Sequence, residues 1–177
     1  MKLSEIGQRI LKQAEDKGWG HTKESLNVAE KTMLIATEIT ELREATTTVV
    51  SSPKDTIESE TADILMRTLH LGTAWGIDFD SEEIFTSRFK DHAIKSITDD
   101  DYLYLYSLVT SAYDQYRHKE IDNFKMSLKI IALEVNYLAQ DLDMDIATAC
   151  LNKISINESR VWDKEKLNGN YYKGSQS

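Results

Sequence analysis

Apolar positions recur at steps of three and four along most of this chain. Leu3, Ile6, Ile10 and Ala14 share one helical face and predict a first helix over about residues 3–17, ended by Gly18-Trp19-Gly20. A long second helix is expected from about Glu24 to Thr47. Ser51-Ser52-Pro53 is the clearest break; Ser52 is placed to cap a third helix, with Pro53 at its first position and Asp55 three residues on. That helix runs to about Trp75, where Gly76 stops it, and Asp80 with Glu83 signals the cap of a fourth. Thr98 with Asp101 repeats the signal for a fifth, to about Arg117. Ile121, Phe124, Leu128, Ile131, Val135, Leu138 and Leu142 form a coiled-coil-like seam on a sixth, and Asp145 opens a seventh that ends near Arg160. Tyr102 to Tyr106 is the one short strand-like alternation. The expected fold class is therefore all-α.

A weak repeat lies over this pattern. Trp75-Gly76-Ile77-Asp78-Phe79-Asp80 ends one helix and leads into the next, and Gln140 to Asp145 does the same 65 positions later. The chain reads as two helical units, 1–97 and 98–163, the second packed on the first, with a polar, mobile tail over 164–177. Chance similarity between two amphipathic hairpins is the alternative.

Composition narrows the function classes. The 177 residues carry 30 acidic and 21 basic side chains, a formal net charge of −9, which opposes binding to a nucleic-acid backbone or an anionic membrane. A small anionic substrate stays admissible, because a bound cation reverses the local field. Cys150 is the single cysteine, so no intrachain disulfide forms, and it reads as a buried, inert thiol. The N-terminus carries charges and does not resemble a signal peptide; no apolar run approaches a membrane span. A cytoplasmic setting is the expectation.

Four acids carry the candidate chemistry. Glu38-x-x-Glu41 lies in the second helix and Glu60-x-x-Asp63 in the third, and a spacing of three puts each pair on one face. Leu34, Leu42 and Ala45 share the face of the first pair; Ile57, Ile64, Leu71 and Ala74 share that of the second. The acids thus sit inside stripes that should face the core, where a lone carboxylate costs several kcal/mol and protonates instead. Either cations compensate them, or they line a partly solvated helix edge. All-oxygen ligands suit Mg²⁺ or Mn²⁺, and no Glu has a His three residues later, which excludes the di-iron bundle pattern.

The stretch Asn27 to Ala45, NVAEKTMLIATEITELREA, followed by ESETADILMRTLHLGTAWGID, resembles the MazG-like all-α nucleoside triphosphate pyrophosphohydrolase family, as does the upstream Ala14 to Trp19. Its ExxE–ExxD motif matches at Glu38, Glu41, Glu60 and Asp63. The resemblance implies a MazG-like helical bundle, here in a tandem, pseudo-dimeric arrangement. It also implies Mg²⁺-dependent hydrolysis of a nucleoside or deoxynucleoside triphosphate to monophosphate and pyrophosphate. Family members often add Lys-x-x-x-Asn-x-x-Arg after the ExxD helix. That pattern is absent after the first unit, where Arg88, His92 and Lys95 take its place, and intact after the second as Lys153, Asn157 and Arg160. The alignment sets Lys125 and Leu128 opposite Glu60 and Asp63, so the second unit lacks the acids. Unit one is expected to supply metals, and unit two basic support for the phosphates or for the fold.

In this reading one of the four carboxylates, with Glu41 the nominee, orients or deprotonates the attacking water. Arg67 neutralises a carboxylate or reaches a phosphate, and Trp19, with His21 and Asn27, flanks the base or, for Trp19, packs in the core. His70 stands where related sequences often carry an acid. A non-enzymatic helical module, a dUTP- or dCTP-selective member of the same superfamily, and pairing into a homodimer through exposed helix faces stay open.

Overall fold

The computed structural model describes residues 1–47, 56–81, 87–90 and 96–160. These contain six helices: α1 (Leu3–Lys17), α2 (Val28–Thr47), α3 (Ile57–Ala74), α4 (Asp99–Arg117), α5 (Ile121–Asp141) and α6 (Ile146–Ser159). No strand occurs among the described residues, and the Tyr102 to Tyr106 alternation is helical, inside α4. No described helix is long and apolar enough to cross a membrane.

Helices α2 and α3 pack as one hairpin and α4 with α5 as a second. The hairpins stack α2 on α4 and α3 on α5, giving a four-helix core. Thr40 pairs with Tyr106 through their hydroxyls at 2.6 Å, and Thr46 with Tyr102 at 2.6 Å, so α2 and α4 run antiparallel. Ile35, Ile39, Leu42, Ile64, Leu65, Leu69, Leu105, Leu128, Ile131 and Val135 fill the centre. Trp75, at the end of α3, meets Phe124 and Tyr116 edge-on, with ring centroids 5.1 and 5.7 Å apart.

The outer helices are the informative part. Helix α6 packs against α3 and α1 far more than against α5. Gln13 donates to the Ile154 carbonyl at 2.8 Å, and Lys17 to those of Glu158 and Arg160 at 2.9 Å each. The end of the chain's second half is thereby laid along the first. Conversely, Ser87, Arg88 and Phe89 bond to Glu134 on α5.

Several expected boundaries shift. Helix α2 begins at Val28, not Glu24, because residues 20–27 form turns closed on the Ser25 hydroxyl, which accepts from His21 and Thr22 N–H at 3.1 and 3.0 Å. Asn27 then caps α2, accepting from Glu30 N–H at 3.2 Å. The expected Ser52–Pro53 start lies outside the described residues; Thr56 caps α3 by accepting from Ser59 N–H at 3.1 Å. Asp80 serves α1: its two oxygens accept from Leu3 and Ser4 N–H at 3.0 and 3.3 Å, a carboxylate on the positive end of the helix dipole. Much of the expected fourth helix, with Glu83, His92 and Lys95, lies outside the described residues, as does the 164–177 tail. The caps at Thr98–Asp101 and Asp145 stand where the spacing put them.

The repeat signal has a local counterpart, in a different register. Past α3, Gly76 and Ile77 N–H bond to Thr73 and Gly72 carbonyls; past α5, Asp143 and Met144 bond to Gln140 and Ala139 in the same way. Gly76 and Asp143 both have positive φ, 72° and 55°, and lie 67 positions apart, two more than the sequence match proposed. Matched on these two turns, Ser127 and Ile130 fall opposite Glu60 and Asp63, where the sequence match set Lys125 and Leu128. Neither can bind a metal as a carboxylate does.

Gly72 lets the turn after α3 close. A Cβ there would lie 2.3 Å from Cζ of the buried Phe79 ring. Gly72→Ala is expected to destabilise the fold by about 1–3 kcal/mol, and Phe79→Leu to recover part of that loss in the double variant, as read by urea unfolding.

Candidate metal centre

Glu38 projects from the middle of α2, and Glu60 and Asp63 from the first two turns of α3. One carboxylate oxygen from each lies within 4.8 Å of the other two. Glu38 and Glu60 are 6% and 4% exposed, and Asp63 is half-buried. Glu41, one turn past Glu38, is exposed and stands outside the trio. Its charge still bears on Glu38 and Glu60 and raises both. The structure thus gathers three of the four expected ligands and leaves the fourth at the rim.

Two cations reach the trio. Arg67 Nε donates to Glu38 Oε1 at 3.1 Å, and Lys153, from α6, donates to Asp63 Oδ2. Glu60 has no such contact. Its Oε2 is buried without a hydrogen-bond partner. Burial is the first cause that pushes Glu60 from 4.5 up to about 7; Lys153 pulls it down, and Asp63, Glu41 and Glu38 push it further up. Glu38 is also raised, by burial first, against the pull of Arg67.

A second buried acid shows what this chain does when a carboxylate is structural. Glu134 on α5 is fully buried, yet it accepts from Ser87 Oγ at 2.7 Å, Arg88 N at 2.8 Å, Phe89 N at 3.2 Å and Tyr104 OH at 2.7 Å. Arg88 also holds Asp101 at 2.7 Å. That centre is closed by its own donors, whereas Glu60, one of the three clustered acids, keeps an orphaned oxygen, as does Asp141 outside the cluster. Buried polar groups in folded proteins are nearly always satisfied, so an orphan asks for a partner. A hard divalent cation fits: it takes oxygen ligands, needs few of them from the protein, and lowers the energy of every carboxylate around it.

The remaining candidates fall elsewhere. Asn157 lies one turn past Lys153 on α6, and Arg160, the extended residue just after the helix, donates from its guanidinium to Asn157 Oδ1 at 3.1 Å. Trp19 is half-buried beyond the left-handed Gly18 that ends α1, with its N–H on the Ala14 carbonyl at 2.9 Å. His70 is buried and hydrogen-bonds through Nε2 to the Gly20 carbonyl at 2.8 Å. Burial first of all lowers its pKa to about 4, so it is a neutral strut that ties the 20–27 turns to α3, two turns from Asp63 or roughly 10 Å along the axis. Asn27 is committed to capping α2. Cys150 is buried, and burial pushes its thiol up to about 12, which makes it inert.

Sequence reasoning missed two charged residues. Lys31 lies two turns before Glu38 with its side chain only 14% exposed, and burial lowers its pKa. Its seven-residue offset from Glu38 was the available signal. Glu134 lies in the α5 seam between Ile131 and Val135, the same acid-in-a-stripe signal that marked Glu38 and Glu60.

A raised carboxyl pKa means that the folded chain holds the proton more tightly than the unfolded one. Glu60 therefore withdraws stability as pH rises from about 4.5 to about 7. Calorimetry in chelator should show the Tm of the native chain falling relative to that of Glu60→Gln between pH 5 and pH 8. A constant difference between the two would remove this account of Glu60.

No protein-family model, curated protein or solved structure matches this chain, so the MazG-like resemblance rests on the residues that carry it.

Proposed function

We propose that this protein is a Mg²⁺-dependent pyrophosphohydrolase that splits a nucleoside or deoxynucleoside triphosphate into monophosphate and pyrophosphate. The observation that carries the reading is the convergence of Glu38, Glu60 and Asp63 within 4.8 Å, with Glu60 Oε2 buried and unpartnered. A cytoplasmic setting, rich in both Mg²⁺ and triphosphates, suits it. The sequence motif points the same way.

Glu38, Glu60 and Asp63 would hold the cation, with Mn²⁺ as a substitute. When bound there, it neutralises phosphate oxygens and acidifies water. The rest falls to the chain. Glu41, exposed at the rim one turn from Glu38, accepts a proton from the attacking water. The water oxygen bonds to the α-phosphorus, the bond from that phosphorus to the bridging oxygen breaks, and pyrophosphate leaves with the electron pair. Arg67 holds Glu38 in place while presenting a partly exposed guanidinium toward the substrate side. Lys153 supplies a cation from the second half, with Asn157 one turn on along the same helix and Arg160 just past its end. Trp19 and the 20–27 turns, pinned by His70, stand at the end of α3 away from Glu60 as a wall for the base.

Pyrophosphate release from a panel of NTPs and dNTPs with Mg²⁺ tests this, and also reads the base preference. Glu60→Gln and Glu38→Gln are expected to lose at least about 3 kcal/mol of transition-state stabilisation, roughly a hundredfold in rate. Absence of turnover in the native protein across the panel would favour a non-enzymatic helical module instead.

A further inference from the structure

Lys153 reaches Asp63 across 90 positions of sequence, from a helix that belongs to the other half of the chain. Its ammonium bonds Asp63 Oδ2, and its charge is the largest influence that opposes the raised pKa of Glu60. Asp63, the acid that Lys153 holds, has a carboxylate oxygen within 4.8 Å of Glu60, whose Oε2 stays without a hydrogen-bond partner. Arg67 serves Glu38 from its own helix, α3, so the three acids are bracketed by one cation at each end.

A lysine in this position does what a metal does, less well. One positive charge on a flexible four-carbon stem partly compensates Asp63 and leaves Glu60 Oε2 orphaned. A divalent ion compensates all three carboxylates at once. The ammonium and the ion contend for the same carboxylate and repel each other. Lys153 is 21% exposed along its side chain, so it has a route outward without moving α6, which is anchored to α1 by Gln13 and Lys17.

We infer that Lys153 is an exchange cation: it holds Asp63 while the site lacks metal, yields that carboxylate when a divalent ion enters, and then turns to the phosphate oxygens of the substrate. The inference rests on the metal-dependent reading above and adds an order to it. Metal entry and the Lys153–Asp63 contact oppose each other, whereas metal entry and anion capture by Lys153 reinforce each other. The second half of the chain thereby senses whether the first half is loaded.

Calorimetric titration of the full chain with Mn²⁺, and then with inorganic pyrophosphate at saturating Mn²⁺, separates these effects. Lys153→Met should bind Mn²⁺ roughly tenfold more tightly than the native chain and pyrophosphate roughly tenfold more weakly. Lys153→Arg, which keeps the charge, should stay near native for Mn²⁺; Lys153→Gln is the second neutral variant should Met compromise folding. A residue that merely braces the fold would not move the two affinities in opposite directions. If the neutral variants bind Mn²⁺ no more tightly than the native chain while Glu60→Gln loses it, the exchange is wrong and the metal site stands. If the native chain binds no Mn²⁺, the metal-dependent reading itself fails and takes the exchange with it.

Discussion

Desolvation of Glu38 and Glu60 between α2 and α3 is the constraint on which the rest of the molecule turns. Water has little access to either charge, and the neighbouring acids raise the cost of both. Arg67 relieves Glu38, and Lys153 relieves Asp63. Glu60 is left with an oxygen that no protein group serves. A chain that closes Glu134 with four donors is capable of satisfying a buried acid when the acid is structural. Glu60 Oε2 is not the sole buried orphan, since Asp141 Oδ2 is another, but Glu60 alone of the two belongs to the cluster of three converging carboxylates, where a cation would serve it.

The two helical hairpins pack on each other, although only one of them carries the clustered acids. Helix α6 leaves its own hairpin and lies against α3 and α1, which is how Lys153 comes to face Asp63. The 87–90 segment makes the reciprocal move onto α5, where it seals Glu134. In the register set by the matching helix ends, Glu134 takes the place of Arg67, and Ser127 and Ile130 those of Glu60 and Asp63. One half therefore presents an open acidic site, and the other a closed, self-satisfied polar centre. Each is completed by the other half's terminal segment.

Much of this was legible in the sequence. The 3.6-residue periodicity located α1, α3, α4, α5 and α6 closely, because their apolar stripes face a single core. The start of α2 was placed four residues early although its signal is local: Asn27 with Glu30 three residues on has the capping spacing, and only the His70 contact to Gly20 that ties down the preceding turns is invisible to a local pattern. Asp80 carried a capping signal whose expected helix lies outside the described residues; it accepts from the N-terminus of α1, 76 positions away at Ser4, which no local pattern encodes. Three of the four acids could be placed by spacing alone. Glu41 could not, because its three-residue step leaves it about 60° around α2 from Glu38, enough to separate the exposed surface from the buried trio. The acid-in-a-stripe criterion also flags Glu134, and only the hydrogen-bond partners distinguish a satisfied acid from an unsatisfied one. The basic motif was half legible: Lys153 reaches the acids, while Arg160 turns to Asn157.

The central claim is that the orphaned Glu60 oxygen belongs to a cation site shared with Glu38 and Asp63. Anomalous diffraction from Mn²⁺-soaked crystals tests it most directly. The account predicts a manganese peak within coordination distance of all three carboxylates, with the Lys153 ammonium displaced from Asp63. Manganese bound only at the exposed Asp99–Asp100 pair at the start of α4, or no peak beside Glu60, would contradict it.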